Sequence, residues 1–439
     1  MSSVISCFEH SSIALPDGWG EGDSQALDQI NRRVRPDLLT IRREDGRMVL
    51  RAGSYVGLAQ VGRHSVEILP KLCRAEGTTA EQARQAGRNL LHLLDYALRL
   101  NIREHDLAGL SHEPLPWFEM LIRIFASHLL TEWQRSAYRN YQSVTDELPV
   151  LRGKLRLPDQ LRRPERQHIF SVTYDEFTAD NPLNRIFRYV VERLFHLTHD
   201  PRNRHLLFDL REWLAEVTLL PHMTAAAASP VLISRLNQQY EPLLNLARLF
   251  LEGGSLQLVG GTLASFTFTF DMARLFEAFV AGFIKRHRER VLPPSLQGCD
   301  LLPQAVGDQR YLATTPTKKD TEEVFRLKPD LALRLAGNYP LLLDTKYKEL
   351  AAEERSLGVS QADIYQMHAY ARRYNCPRVV LLYPQTASMG EPLYREFQLD
   401  GGSLVVVATI DLQGELWKEA ERGRMIKSLQ KAISLLSSY

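Results

Sequence analysis

The stretch "RLKPDLALRLAGNYPLLLDTKYKEL", residues 326–350, contains two apolar runs that each carry an aspartate and a lysine. The tripeptide Ala336–Gly337–Asn338 between the runs is a turn signal, so the pattern predicts the two strands of a β-hairpin. Asp330 and Asp344 each lie seven residues from Gly337. In a hairpin centred on that glycine the two carboxylates are directly opposed, with their Cβ atoms about 5 Å apart.

Alternation along the strands predicts that Lys328 and Lys346 share the face of these two aspartates. The opposite face would carry Leu331, Leu333, Leu343 and Thr345. Two opposed carboxylates destabilise a hairpin unless a positive charge lies between them, and Mg²⁺ suits such a pair. Lys346 would then be placed to orient or deprotonate an attacking water. On this pattern alone, a surface hairpin of Asp–Lys pairs that neutralise each other is an open alternative.

A helix is predicted just before this hairpin. Asp271 can cap it, and its apolar residues recur at the three-four spacing of one buried face. These residues are Met272, Leu275, Phe276, Phe279, Val280, Phe283 and Ile284. Glu277 lies at the edge of that face, where a glutamate is unusual for a purely structural helix. The alternative is that its carboxylate simply reaches the solvent.

A second helix is predicted after the hairpin, in "SQADIYQMHAYARRY". Ser360 and Asp363 form a capping-box pattern at its start. Gln366 and Tyr370 then lie one turn apart on one face of the helix. A glutamine at this position could hold a water or a DNA phosphate, or it could merely face the solvent.

The whole-chain composition excludes several classes of protein. The 439 residues suffice for two or three domains, and the net charge of +2 favours no particular partner. The four cysteines are too far apart in sequence to predict a zinc site or a disulfide framework. No apolar run is long enough for a membrane span, and no secretory signal is recognisable, so we expect a cytoplasmic protein. The absence of a GxxxxGK[ST] pattern argues against a P-loop nucleotide site.

Positive charge is concentrated locally. Residues 151–167 contain five arginines and one lysine against Asp159 and Glu165. Within this segment Arg152, Lys154 and Arg156 are candidates for contact with DNA phosphates, although a solvated basic face is the alternative. A second cluster, "KRHRER" from Lys285, ends a predicted helix, where the helix dipole also favours positive charge.

The order of patterns along the chain predicts an α+β multidomain protein. Residues 1–75 form a β-rich region, with a hairpin signal at Asp45–Gly46; residues 76–261 are mainly helical; and residues 262–439 form an α/β domain. In the last region we expect strands near 324–335, 340–347, 378–384 and 403–411, with helices near 360–374 and 416–437.

The order of these residues along helix, strand, strand and helix resembles the core of PD-(D/E)xK nucleases. The order is Glu277, Pro329–Asp330, Asp344–Thr345–Lys346, and then Gln366 and Tyr370. The Gln-x-x-x-Tyr element is similar to that of the RecB-type branch. Asp344 stands where many members have glutamate, which the pattern permits. The resemblance implies a restriction-endonuclease-like core in residues 262–439.

The chain as a whole resembles the McrC family, the nuclease subunit of McrBC modification-dependent (type IV) restriction systems. The resemblance is carried by an ordered set of segments along nearly the whole length. These are "VGLAQVGRHSVEILPK", "LPVLRGKLRL", "YDEFTADNPLNRIFRYV", "FDMARLFEAFV", "LKPDLALR", "LLLDTKYK" and "ADIYQMHAYARRY". It implies a hexameric McrB-type AAA+ GTPase as partner and modified double-stranded DNA as substrate. Residues 1–75 would dock on the ring or insert into its pore, the mainly helical residues 76–261 would link the domains and contribute to binding the partner, and this binding would stimulate GTP hydrolysis.

The resemblance also implies a role for each site residue. Asp330, Asp344, the backbone carbonyl of Thr345 and Glu277 would hold one or two Mg²⁺ ions, for which Mn²⁺ can substitute. Lys346 would orient the attacking water or stabilise developing charge, while Gln366 and Tyr370 would steady the site. DNA cleavage would depend on the GTPase partner.

Two other functions are compatible with the same residues. A stand-alone RecB-like repair nuclease would cleave DNA without any nucleotide-hydrolysing partner. A non-catalytic activator of an AAA+ ring would keep the carboxylates only as relics and would not bind metal. Cleavage assays without the partner and a metal titration discriminate among the three.

Overall fold

The computed structural model of the chain describes residues 4–33, 36–62, 64–73, 80–102, 106, 109, 115–162, 164–166, 168–259, 262–316, 321–351, 353–385 and 389–434. The chain divides into two compact units. Unit 1 comprises Met1–Phe118 together with Gly253–Tyr439, and unit 2 comprises Glu119–Glu252.

The helices of the described residues are α1 Glu21–Arg33, α2 Ala80–Leu98, α3 Trp117–Arg135, α4 Leu157–Leu161, α5 Pro182–Leu197, α6 Pro201–Trp213, α7 Ala225–Ala228, α8 Glu241–Gly253, α9 Met272–Arg286, α10 Arg288–Val291, α11 Gln361–Tyr374 and α12 Glu419–Ser434. The strands are β1 Val4–Phe8, β2 Ser12–Ala14, β3 Leu39–Glu44, β4 Arg47–Ala52, β5 Tyr55–Val61, β6 His64–Leu69, β7 Asn140–Leu148, β8 Lys154–Leu155, β9 Phe170–Thr178, β10 Gly254–Val259, β11 Thr262–Asp271, β12 Asp300–Pro303, β13 Arg310–Pro316, β14 Thr321–Leu327, β15 Leu331–Leu335, β16 Asn338–Thr345, β17 Arg378–Pro384, β18 Tyr394–Gln398 and β19 Leu404–Ile410.

The β-rich amino-terminal region is confirmed. Strands β3 and β4 pair around Asp45 and Gly46, whose positive φ angles of 48° and 78° are those of a two-residue hairpin turn. Strand β2 completes this small sheet, in the order β2-β4-β3.

A second sheet joins distant parts of unit 1, in the strand order β1-β6-β5-β11-β10. Strand β11 runs antiparallel to β5, and Ser265 pairs with Val61. Gly57 makes the close approach possible, because a Cβ there would lie 2.1 Å from the carbonyl oxygen of Phe268. The first strand after residue 261 therefore belongs to the amino-terminal sheet, whereas the sequence-based boundary placed it in the carboxy-terminal domain.

Helix α9 follows as predicted. The Asp271 side chain accepts hydrogen bonds from the backbone N–H groups of Ala273 and Arg274. All seven apolar residues expected on its inner face are buried. Helix α9 packs on α2, where a Cβ at Gly282 would lie 2.2 Å from the carbonyl oxygen of Tyr96.

The remaining large sheet of unit 1 has the order β12-β15-β16-β17-β19-β18. Strands β16, β17 and β19 are parallel neighbours, while β15 and β16 form the expected antiparallel hairpin. The prediction of a single strand over 324–335 was wrong, because the strand is interrupted at Lys328–Pro329–Asp330. Before the break, β14 pairs with β13 in a separate two-stranded ribbon, and after it β15 enters the sheet. Proline at the break removes a backbone donor, which suits an interruption between two sheets.

Unit 2 contains α5 to α8 and a three-stranded sheet in the order β7-β9-β8. This sheet was not predicted within the mainly helical middle region. Most residues of β7, with the sequence "NYQSVTDEL", are exposed, so the strand lacks the apolar alternation that marks a half-buried strand. Among the described residues of the whole chain, no helix is long and apolar enough to cross a membrane.

Candidate active site

The β15–β16 hairpin sets the two aspartates of the opening stretch at the same level. Leu331 pairs with Leu343 as the last pair of the ladder, so Asp330 and Asp344 are the next residues beyond it on the two sides of the hairpin. Ala336 and Gly337 form the turn, with φ angles of 48° and 82°. Strand β17 covers the other edge of β16, and the Lys346 N–H donates to the carbonyl of Leu382 at 2.9 Å.

Asp330 lies just outside the ladder, and its carboxylate turns towards the end of β16. Its Oδ2 atom accepts hydrogen bonds from the Thr345 N–H at 2.7 Å and from the Thr345 hydroxyl at 2.6 Å. The expectation that Thr345 points away from this face was therefore wrong. Lys328 was also misplaced, because it precedes β15 and its side chain is exposed. The break before β15 explains both differences, since strict alternation applies only within a continuous strand.

A chain of polar contacts runs from the second aspartate to helix α11. The Lys346 Nζ atom lies 2.6 Å from Asp344 Oδ2 and donates a 3.0 Å hydrogen bond to Gln366 Oε1. Gln366 Nε2 donates to the Tyr370 hydroxyl at 2.8 Å. That hydroxyl donates in turn to the backbone carbonyl of Lys328 at 2.9 Å. The helix thereby fixes the ammonium group of Lys346 beside the carboxylate.

Burial makes the two aspartates electrostatically unusual. Asp344 is only 1% exposed, and burial together with the negative charge of Asp330 raises its pKa to about 7 despite the attraction of Lys346. Burial also raises the pKa of Asp330, although its two hydrogen bonds from Thr345 oppose the shift. Paired carboxylates with raised pKa values are typical of sites that hold a cation or transfer protons.

Glu277 approaches the same region from α9. Its Oε1 atom accepts a 2.9 Å hydrogen bond from Gln304 Nε2, and the Gln304 N–H donates to the carbonyl of Asp330 at 3.0 Å. Burial raises the pKa of Glu277, and the charge of Asp330 raises it further. Gln304 thus ties the glutamate to the first aspartate. No sequence pattern singles it out, because it lies in an irregular turn with a φ of 50°.

The residues present suit a hard divalent cation held by few protein ligands. Asp344 Oδ2 is buried, and no described residue donates a well-aligned hydrogen bond to it; its 2.6 Å contact with Lys346 is an ion pair. In the part of the chain that the structure describes, no three His, Cys, Asp or Glu side chains are grouped closely enough to form a metal site by themselves. Two carboxylates completed by water and phosphate oxygens are, however, a common arrangement for Mg²⁺.

The raised pKa of Asp344 predicts a pH-dependent stability in the absence of metal. Because the folded chain favours the protonated carboxyl, this stabilisation is complete below the ordinary pKa of 3.8 and is lost as the pH rises towards 7. One pKa unit corresponds to about 1.4 kcal/mol, so the rise of the pKa from 3.8 to about 7 sets an upper limit of roughly 4 kcal/mol. Because asparagine also loses the ion pair with Lys346, we expect Asp344→Asn to be more stable than the unchanged chain by less than this limit, about 1–3 kcal/mol at pH 8. Thermal unfolding with a chelator at pH 4 and pH 8 measures the difference. A stability gain of equal size at both pH values would contradict the prediction.

The predicted DNA-binding residues lie in unit 2, whereas the carboxylates lie in unit 1. The Arg152 guanidinium stacks 4.0 Å from the centroid of the Tyr174 ring, and Lys154 is exposed on β8. Arg156 forms a 2.8 Å ion pair with Asp159 at the start of α4. The three residues are accessible, and their contact with DNA stays a prediction.

Residues 50–384 match the family model described as McrBC 5-methylcytosine restriction system component. No curated protein matches the chain. Among solved structures, the McrC chain in a half-complex from a tetradecameric assembly of Thermococcus gammatolerans McrB AAA+ hexamers with bound McrC is 25% identical, with a TM-score of 0.65. That alignment covers 99% of this chain and 100% of the other.

A second match is to the cryo-EM structure of the Thermococcus gammatolerans McrBC complex, with 29% identity and a TM-score of 0.51. It covers 65% of this chain and 88% of the other. The family model alone spans well over half of the 439 residues. The chain therefore belongs to the McrBC 5-methylcytosine restriction system component family.

Proposed function

We propose that this chain is the DNA-cleaving subunit of an McrBC-type restriction system, a Mg²⁺-dependent endonuclease with a PD-(D/E)xK core. The observation that carries the proposal is the pairing of the half-buried Asp330 with the buried Asp344, with Lys346 beside them. Helix α9 with Glu277 precedes this hairpin and α11 with Gln366 follows it, which matches the order of elements in that nuclease core.

Asp330, Asp344 and the backbone carbonyl of Thr345 would hold the cation, with Glu277 acting through a water. When bound, Mg²⁺ would polarise the scissile phosphate and lower the pKa of the attacking water. The ammonium of Lys346 would orient that water or stabilise the negative charge that develops on the phosphate. Gln366 and Tyr370 would hold Lys346 through the hydrogen bonds described above.

The direct test is cleavage of methylated double-stranded DNA by the purified chain with an McrB-type AAA+ GTPase, GTP and Mg²⁺. We expect cleavage that requires all of these components and that a chelator stops. Cleavage without the GTPase would favour a stand-alone nuclease, and GTPase stimulation without any cleavage would favour a non-catalytic activator.

The proposed partner is a McrB-type AAA+ hexamer, because both matched structures contain McrB. We propose that residues 1–75 provide part of the docking surface. Deleting them would remove β1, β5 and β6 from the sheet that contains β11, so point substitutions are the better test. The β3–β4 hairpin offers exposed positions at Arg43, Arg47 and Met48.

We expect Asp330→Ala to abolish DNA cleavage and to stimulate GTP hydrolysis by the partner as well as the unchanged chain does, because docking and cutting use different residues. Arg47→Glu combined with Met48→Asp should weaken binding to the ring by about tenfold or more, which corresponds to 1.4 kcal/mol. The measurement is GTP turnover against chain concentration for each variant.

Lys427→Glu on α12 is a matched exposed charge reversal outside residues 1–75 and should have no effect. Undiminished stimulation of GTP hydrolysis by the hairpin variant would show that the docking surface does not include the tip of the β3–β4 hairpin. Loss of stimulation by Asp330→Ala would show instead that docking and cutting are not separable.

A further inference from the structure

A buried cluster connects the amino-terminal β region to the residue that follows Lys346. Glu9 comes directly after β1 and is 1% exposed. Its Oε1 atom accepts a hydrogen bond from the Lys71 N–H at 2.8 Å and another from the hydroxyl of Tyr347. The Lys71 Nζ atom lies 5.5 Å from the centroid of the Tyr347 ring and 3.5 Å from Glu349 Oε1. All these residues belong to unit 1.

The same tyrosine ring also contacts the helix that carries Glu277. The ring centroids of Tyr347 and Phe276 are 6.1 Å apart. Phe276 is fully buried on α9 and directly precedes Glu277. One side chain is therefore next in sequence to Lys346 and packed against the neighbour of Glu277, so it links two sides of the candidate active site.

The contacts with Glu9 fix this ring firmly. A buried carboxylate that loses a donor carries a large desolvation cost, so the Tyr347 hydroxyl and the Lys71 N–H are held in place. Burial raises the pKa of Glu9, and these two donors oppose that shift, which agrees with their role as its required partners. Hydrogen bonds of this kind to a charged acceptor are stronger than those between neutral groups.

Lys346 needs such support because of its place at the end of a strand. Strand β16 ends at Thr345, and the Lys346 N–H makes the last backbone bond to β17. Tyr347 is the first residue beyond that bond, so its position determines the path on which the chain leaves the lysine. A displacement of about 1 Å at a reacting group can lower a rate by roughly a hundredfold.

We propose that Glu9, Lys71 and Tyr347 form a brace that positions Lys346 for DNA cleavage. The proposal rests on the nuclease function proposed above and adds a role for residues of the amino-terminal region inside the nuclease reaction itself. Tyr347 acts through Lys346, so it is a positioning residue and does not touch the DNA.

The test uses the full chain with an McrB-type GTPase, GTP and Mg²⁺. Tyr347→Phe keeps the ring and removes only the hydroxyl that Glu9 accepts. We expect kcat for DNA cleavage to fall about 10- to 100-fold, a loss of the size found when residues that orient metal ligands are replaced. The KM for DNA and the stimulation of GTP hydrolysis should stay unchanged, whereas a merely structural defect would lower the stimulation as well.

A double variant isolates the route of the effect. If the brace acts through Lys346, Tyr347→Phe should cause little further loss in a Lys346→Ala background. Glu9→Gln retains an acceptor oxygen and should keep most of the activity. Tyr365→Phe is the matched control, because Tyr365 is 64% exposed and its hydroxyl accepts a hydrogen bond only from Gln361 among the contacts described.

Cleavage by Tyr347→Phe at the unchanged rate would overturn the brace while leaving the nuclease proposal intact. An equal fold-loss from Tyr347→Phe with and without Lys346 would also overturn it, since the effect would then bypass the lysine. Absence of cleavage by the unchanged chain would overturn the nuclease proposal and the brace together.

Discussion

Asp344→Asn is expected to reduce DNA cleavage by a factor on the order of 1,000 or more. A metal site contributes several kcal/mol of charge stabilisation to such a reaction, and each 1.36 kcal/mol corresponds to a tenfold change in rate. Asparagine has the size of aspartate but lacks the charge, so the buried site between β15 and β17 should keep its shape. Cleavage of methylated DNA under single-turnover conditions, with the partner and GTP present, measures the loss.

The unfolding temperature of the Asp344→Asn variant in chelator at pH 8 is the control for its fold, and this temperature should not fall. Binding of Mn²⁺, followed by calorimetry, should weaken in parallel with cleavage. Full cleavage by the variant at saturating metal would rule out Asp344 as a ligand.

Lys346→Ala is expected to lower kcat by about 10²–10⁴-fold, the usual contribution of a side chain that moves or orients a proton in the transition state. Its metal affinity should persist, because the lysine is an ion-pair partner of Asp344 and not a ligand. Removal of the positive charge leaves two carboxylates whose repulsion an added cation relieves, so metal binding should not weaken.

Lys346→Arg provides the matched control for charge. The guanidinium keeps the positive charge, but it is larger and planar and cannot place a single ammonium nitrogen against both Asp344 and Gln366 as lysine does. We expect it to restore little of the activity. A collapse of metal affinity in Lys346→Ala, with normal turnover at saturating metal, would contradict the proposed role.

Local patterns in the sequence predicted the elements that frame the site. The Asp271 cap and the apolar spacing of α9 depend on neighbours three and four residues apart, so both could be identified without a structure. The turn signal at Ala336–Gly337 likewise predicted the hairpin. Asp330 is level with Asp344 as expected, but only because of a register shift between Leu333 and Leu335 that the sequence did not reveal. The sequence also placed Lys346 and Gln366 in the same candidate site, although it could not show that their side chains form a hydrogen bond.

Contacts between distant segments could not be predicted in this way. The pairing of β5 with β11 joins strands that the whole helical region, residues 76–261, separates in sequence, and no pattern in either strand identifies the other as its neighbour. The Glu9–Tyr347 contact, which joins the end of β1 to the end of β16, could not be predicted for the same reason. The turn of the Asp330 carboxylate onto Thr345 depended on a break in the strand at Pro329, which periodicity alone did not locate.

The insertion of unit 2 within unit 1 has a consequence for synthesis on the ribosome. Strand β5 must wait until β11 has been translated, and Ser265 pairs with Val61 only after all of unit 2 has been made. At about 5–20 residues per second this wait lasts on the order of 10–40 s, during which one edge of β5 lacks its native neighbour. The sheet that holds Asp344 needs β19 as well, near the end of the chain. A prematurely terminated product can therefore contain every proposed catalytic residue and still lack the sheet that assembles them.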